Sequence, residues 1–351
     1  MTDPAYEKLV DTLNAHGTVL PSIPCPEYFA LVEYLFTPQE AATVNAMGKG
    51  FSSAEKIAGL LQSNDVPAIA SRLEAMCDKG LIHSRTEYGI AVYGGLPFVP
   101  GITELHFMRG LVDERHKKIA ALLDDYNRKL KELFTAGAPA GAKPSFPGRT
   151  LVVNQDVYQM TTIIPYKEAR ELIEQASFVA TGNCNCRHQG ELRGRPCDKP
   201  RDNCMVLGSS AASATRRGFT RQLSQEEAIR MLDDAEKAGL VHQYCNTPEQ
   251  YANLLCHCCD CHCMMLRGVK RAPVPNQACF ARYIIQVKQD DCIGCENCIA
   301  RCQMNALKME DGKLVRDGLR CIGCGICMYA CPTEALSLEA TPLGKIPLQQ
   351  C

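Results

Sequence analysis

The sequence predicts an α+β protein of several domains, and three observations carry that expectation. Residues 1–135 show helical periodicity followed by one short hairpin pattern. The stretch 136–148 gathers Gly137, Pro139, Gly141, Pro144, Pro147 and Gly148, a density of breakers that marks a linker. Most of the 22 cysteines of this 351-residue chain fall into two clusters beyond that linker. The expected layout is an N-terminal domain over 1–135, the linker 136–148, a cysteine-rich middle domain over 149–282 and a small C-terminal unit over 283–351.

In the N-terminal domain, Thr37-Pro38-Gln39-Glu40 combines a capping box with proline at the first helical position. Ser52-Ser53-Ala54-Glu55 offers a second capping box ahead of Ile57, Leu60 and Leu61. A third helix is expected over Val66 to Lys79, where Ile69, Leu73 and Met76 recur at helical spacing and Gly80 supplies the stop. Leu81-Ile82-His83 and Gly89-Ile90-Ala91-Val92-Tyr93 read as two short strands around a turn. After a break from Pro97 to Gly101, residues 104–134 read as one long charged helix. Three helices followed by a two-stranded wing resemble a winged helix-turn-helix domain. Such a resemblance implies DNA or protein as partner, and charge favours protein. Residues 1–135 hold 13 basic and 17 acidic side chains, a net of −4, where binding a duplex rests on neutralising phosphates.

In the middle domain, helices are expected over Tyr166–Ser177 and Gln225–Ala238, the second with Ser224 and Glu227 as its capping box and Gly239 at its end. Cys184, Cys186, Cys197, Cys204, Cys256, Cys258, Cys259, Cys261 and Cys263 are candidate metal ligands. Nine thiols within 80 residues exceed ordinary core packing, and soft thiolates select zinc or iron–sulfur clusters. Spacing alone does not group them. Cys258 and Cys259 are neighbours whose side chains would point opposite ways on a strand, so they are candidates for different sites. His188, His257 and His262 stand among the cysteines. Arg187, Arg193, Arg195, Arg201, Arg216, Arg217 and Arg221 read either as a solvated basic face or as compensation for an anionic cluster. The scattered Cys25, Cys77, Cys245, Cys279 and Cys351 are assigned no function.

The C-terminal unit holds a clear internal repeat. Cys292-Ile293-Gly294-Cys295 recurs as Cys321-Ile322-Gly323-Cys324, an offset of 29 residues that also pairs Cys298 with Cys327 and Cys302 with Cys331. Each half reads C-x2-C-x2-C-x3-C. Three cysteines at that spacing wrap the chain around three corners of a cubane, and the glycines let the backbone approach the cluster. The fourth cysteine of each run ligates the other cluster. Cluster one then takes Cys292, Cys295, Cys298 and Cys331, and cluster two takes Cys321, Cys324, Cys327 and Cys302. A four-cysteine zinc ribbon is the competing reading, but ribbons rarely show two complete runs of this kind. Residues 283–341 resemble bacterial-type dicluster ferredoxins, which implies two [4Fe–4S] clusters. One departure is visible: Pro332 follows Cys331 as that family's pattern asks, but Gln303 follows Cys302. Ile293, Ile299, Ile322, Ile326 and Leu336 are expected to surround the clusters and hold their potentials low, below about −300 mV.

The whole layout is similar to 4Fe–4S ferredoxin-type proteins of anaerobes. That resemblance implies low-potential electron transfer within an oxidoreductase system and a redox partner protein, with a third iron–sulfur cluster or zinc in the middle domain. A redox-sensing DNA-binding regulator and a catalytic reductase are the competing functions, but no flavin, nicotinamide or nucleotide fingerprint is present. An electron-transfer component is favoured over a stand-alone enzyme, and no catalytic residue is assigned. The net charge of −1, the lack of a long apolar run and the N-terminal Met1-Thr2-Asp3-Pro4 give an expectation of a cytoplasmic chain without a membrane span.

Overall fold

The structure, a computed structural model, describes residues 2–18, 22–136, 161–246 and 253–345. The expected linker, the first residues after it and Cys351 lie outside the described residues.

The chain opens with α1 (Pro4–Ala15), α2 (Pro26–Leu35) and α3 (Pro38–Met47), each begun by a proline in its first turn. Thr37 and Glu40 form the reciprocal capping box on α3. Next come β1 (Phe51–Ser53), α4 (Ala54–Leu60) and α5 (Val66–Lys79). The cap of α4 is Ser53, not Ser52: Ser52 is drawn into β1 opposite Tyr93, and Ser53 accepts from the Lys56 amide at 3.4 Å. Helix α5 ends where the sequence places its stop, with Gly80 in the left-handed region at φ 77°. β2 (Ile82–Glu87) and β3 (Ile90–Gly95) form a hairpin, and β1 joins it in the order β1-β3-β2.

The expected long helix is broken in two, α6 (Thr103–Met108) and α7 (Glu114–Ala136). Gly110, at φ +68°, makes the break, and any side chain there would run into Asn183. Tyr28, Phe98, Phe107 and Tyr126 are buried in the core that these helices share.

Residues 161–246 and 253–258 build a six-stranded antiparallel sheet. Its elements are β4 (Thr161–Ile163), α8 (Tyr166–Gln175), β5 (Val179–Asn183), α9 (Asn185–Leu192), β6 (Asp202–Leu207), α10 (Ser209–Arg216), β7 (Arg221–Leu223), α11 (Gln225–Lys237), β8 (Val241–Asn246) and β9 (Asn253–Cys258). The strand order is β4-β8-β9-β6-β5-β7. Ala169 and Ile173 of α8 and Ala228 and Leu232 of α11 pack with Met205, Leu207 and Leu255 of the sheet. Met108 of α6 packs with Ala180, Val206 and Leu254.

The arginines of this region are mostly committed to ion pairs, several of them with the N-terminal part. Arg217 binds Glu74 at 2.7 Å and Asp78 at 2.9 Å, both on α5. Arg193 and Arg195 share Asp124 of α7, at 3.0 and 3.1 Å. Arg201 pairs with Glu191, Arg221 with Asp202, and Arg216 reaches the Ser84 carbonyl. The basic run is thus largely a set of staples, and Arg187 is the exception taken up below.

After α12 (Met264–Arg271) and α13 (Pro275–Ala278), the chain enters its C-terminal unit: β10 (Tyr283–Val287), α14 (Asn297–Arg301), β11 (Leu307–Glu310), β12 (Lys313–Arg316), α15 (Ile326–Tyr329) and β13 (Leu336–Ala340). β10 pairs with β13 and β11 with β12, both antiparallel. The unit is fastened to the sheet region by a buried ion pair, Arg282 to Glu168 at 3.0 Å, and by Tyr283 donating to the same carboxylate at 2.7 Å.

Candidate metal centres

In the C-terminal unit the repeat folds so that each short helix starts one turn after the tight glycine turn. Gly294 and Gly323 hold φ values of +68° and +65°, the left-handed region that favours glycine. At Gly323 a side chain would collide with the Tyr283 backbone. The eight cysteines line two separate cavities. Cys292, Cys295, Cys298 and Cys331 line one. Cys302, Cys321, Cys324 and Cys327 line the other. The halves also match in detail: the Ala306 amide donates to Cys302 Sγ and the Ala335 amide to Cys331 Sγ, each at 3.3 Å. Apolar walls, glycine at the closest approach and amides aimed at sulfur suit iron–sulfur clusters in both cavities.

The two cavities differ in exposure. Ile322, Ile326 and Leu336 are buried, as the sequence leads one to expect, but Ile293, although it lines the cavity of Cys292, is 67% exposed. Cys295 is exposed, whereas Cys321 and Cys327 are buried. Burial raises the Cys324 and Cys327 thiols above their ordinary range. The cavity of Cys302, Cys321, Cys324 and Cys327 faces the six-stranded sheet, with Val241 of β8 in its wall.

The nine cysteines of the middle region separate into two groups. Six are brought together by the sheet and its connections: Cys184 at the N-cap of α9, Cys186 inside it, Cys204 on β6, Cys256 and Cys258 on β9, and Cys263 at the N-cap of α12. Their thiols run in contact from Cys184 to Cys186, Cys263, Cys258, Cys256 and Cys204, and the last lies again within electrostatic reach of the first. Hydrogen bonds donated to neighbouring thiols, and then burial, push Cys184, Cys204 and Cys258 well above the ordinary thiol range. The acceptors move the other way: bonds from Cys186 and Cys258 draw Cys263 down to about 5. Six neighbouring thiols, Cys204, Cys258 and Cys263 of them buried, ionise together only around a positively charged group.

Arg187 lies beside them, 2% exposed. It donates to the His257 carbonyl at 3.0 Å and to the Asn203 side chain. Its guanidinium pKa is raised despite its burial, by the neighbouring Cys184, Cys259 and Cys258. It is the one arginine of the run placed to compensate thiolate charge.

Cys197, Cys259 and Cys261 form the second group, with His262 beside them. The neighbours Cys258 and Cys259 therefore fall on different sides. Of the three histidines among the cysteines, only His262 joins thiols. His188 is held by Glu191 at 3.2 Å and the Leu111 carbonyl at 3.0 Å. His257 meets His242 at 2.8 Å, and His242 in turn meets Glu236 at 2.9 Å. Cys25, Cys77, Cys245 and Cys279 are buried.

A family model described as a 4Fe-4S dicluster domain matches residues 291–335. Neither the curated proteins nor the solved structures compared gave a match to the chain. The matched domain and the abundance of cysteine support an iron–sulfur electron-transfer role. No helix among the described residues is long and apolar enough to cross a membrane.

Proposed function

We propose that the chain is a low-potential electron-transfer protein or oxidoreductase subunit with three iron–sulfur clusters in sequence. When bound, such clusters carry single electrons. Cys292, Cys295, Cys298 and Cys331 hold the outer cluster, and Cys302, Cys321, Cys324 and Cys327 the inner one. Four of the six grouped thiols of the middle region hold the third, with Arg187 offsetting their charge. The observation that carries this reading is the contiguity of the inner cavity with the six-thiol group. Val241 lines that cavity and pairs across the sheet with Cys258. The exposed edge at Cys295 and Ile293 is the face offered to a redox partner protein.

On this reading the N-terminal winged-helix-like domain docks protein and does not read DNA. Its α5 is held through Glu74 and Asp78 against Arg217.

The test is iron and sulfide analysis of anaerobically purified full-length protein beside a Cys184→Ser/Cys186→Ser variant. The expectation is about twelve iron and twelve sulfide in the parent, and a loss of about four of each in the variant. Equal contents would show that Cys184 and Cys186 are not needed to hold metal, about eight iron in the parent would remove the third cluster, and a parent holding no sulfide would remove all three.

A further inference from the structure

We infer that Cys197, Cys259, Cys261 and His262 form a separate mononuclear zinc site. The inference does not rest on the clusters proposed above. Among the described residues, this is the group of cysteine, histidine and carboxylate side chains whose donor atoms all lie within 4.8 Å of one another. Neither the six-thiol group nor the cysteines around the two C-terminal cavities meet that condition.

Mutual spacing separates one ion from a cluster: neighbours in the six-thiol group also approach, Cys204 and Cys256 at 4.0 Å, but no three of its thiols all lie within 4.8 Å of one another. Zinc–thiolate bonds of about 2.3 Å in a tetrahedron put the sulfurs about 3.8 Å apart. Cys197 Sγ stands 3.6 Å from Cys261 Sγ and 4.0 Å from Cys259 Sγ. A cubane spreads its thiolates around a body of eight atoms, so its ligand sulfurs stand well beyond that separation.

The imidazole is oriented as a ligand. His262 Nδ1 lies 3.2 Å from Cys261 Sγ, on the side of the thiols, while Nε2 lies 2.8 Å from the Arg195 carbonyl. A proton on Nε2 donated to that carbonyl leaves Nδ1 with its lone pair toward the sulfurs. Histidine ligands of metals are commonly fixed in this way through their second nitrogen. Gly190 makes room for the ring, since a side chain there would overlap His262. Three thiolates and one imidazole complete a tetrahedron with no open position, the pattern of a structural zinc site. Cys261 is exposed, so an ion has a way in.

The site would tie the loop carrying Cys197 to the turn after β9. Cys258 and Cys263, which flank that turn, belong to the six-thiol group, so the ion would brace one side of it.

The test measures zinc and iron together in anaerobically purified full-length protein. The expected result is about one zinc per chain, retained in Cys184→Ser/Cys186→Ser and lost in Cys197→Ser/Cys261→Ser with sulfide unchanged. Absorption at the zinc edge reads the ligands without interference from iron. It should show three sulfurs at about 2.3 Å and one nitrogen at 2.0–2.1 Å in the parent protein, whether or not the variants fold. His262→Asn should remove the nitrogen contribution. Zinc-free protein, a shell of four sulfurs, or sulfide lost with Cys197 and Cys261 would each overturn the assignment.

Discussion

Gln303 donates from its side-chain amide to the Cys258 carbonyl at 3.3 Å, and also to the Gly239 carbonyl. This residue stands where the other half of the repeat has Pro332. A proline there would shape the same turn but carry no donor reaching out of the C-terminal unit. The departure from the repeat is therefore the point at which that unit is bonded to the strand carrying Cys258. Arg301, two residues earlier, reinforces it by donating to the carbonyls of Glu236 and Lys237.

Gln303→Pro should keep the iron of the C-terminal unit and weaken its attachment. Two partly buried carbonyls lose their donor, at a cost of about 1–3 kcal/mol. Denaturant unfolding of the holo-protein should show that loss, and limited proteolysis should show faster cutting between the two parts. Unchanged stability would mean that Arg301 and Arg282 alone hold the interface.

The features written in short stretches of chain are the ones legible in the sequence. Thr37 and Glu40, Ser224 and Glu227, and Gly80 mark helix ends through groups at most four residues apart, and the structure uses each of them. The break at Gly110 is not legible because a lone glycine in a charged periodic stretch is tolerated; Asn183, which lies over it and donates to the Met108 carbonyl at 3.3 Å, is 73 residues away. The six-stranded sheet is not legible either. Its order β4-β8-β9-β6-β5-β7 comes from tertiary packing of short strands, two of them only three residues long. The middle thiols could be counted but not grouped, because Cys197 meets Cys259 across 62 residues.

The two cavities of the C-terminal unit should differ in reduction potential. Water at the exposed Cys295 edge stabilises the more negative reduced state and raises the potential, while the buried surroundings of Cys321 and Cys327 lower it. A reductive titration followed by electron paramagnetic resonance should show two steps that belong to this unit, beside that of the third cluster. Cys295→Ser should perturb the higher one and Cys324→Ser the lower. The reverse assignment would contradict the exposure argument.

The two tight-turn glycines should respond unequally to alanine. A side chain at Gly294 would meet only the end of Met309, at 4.0 Å, so Gly294→Ala carries mainly the left-handed backbone penalty of about 1–2 kcal/mol. Gly323→Ala meets the Tyr283 backbone as well, so the turn itself must move. We expect Gly323→Ala to lose up to about four iron per chain and Gly294→Ala to retain nearly all. Iron counts under identical reconstitution decide it, and equal losses would refute the steric contrast.

Acid should weaken the N-terminal part through buried histidine. Burial, and then nearby positive groups, lower His83 and His106 to about 3 from an ordinary value near 6.5. The folded form keeps each ring neutral while the unfolded chain protonates it. Their contribution is intact above about pH 6.5 and is lost as pH falls toward 3, at up to about 1.4 kcal/mol per pH unit for each ring. His106→Asn should show a shallower fall in stability between pH 6.5 and 5 than the parent. Measuring the difference in slope cancels acid damage common to both proteins. Parallel slopes would mean that His106 protonates equally in both states.

Duplex DNA should fail to compete for the N-terminal part. A groove-binding helix needs a free face with donors for bases and cations for phosphates. Helix α5 offers Arg72 and Lys79, but Lys79 pairs with Glu40 at 2.6 Å and Arg72 reaches Thr43 at 3.4 Å. Its acids Glu74 and Asp78 are turned to Arg217, so that edge is occupied by the sheet region. The tip of the β2–β3 hairpin instead carries exposed apolar surface: Tyr88 is fully exposed and Ile90 57% exposed, a surface better suited to protein than to a phosphate backbone. Full-length protein mixed with genomic duplex fragments should bind weakly at low salt and not at moderate salt. A sequence-selective complex that survives moderate salt, and is lost in Arg72→Ala, would reverse this conclusion and make the chain a redox-responsive regulator.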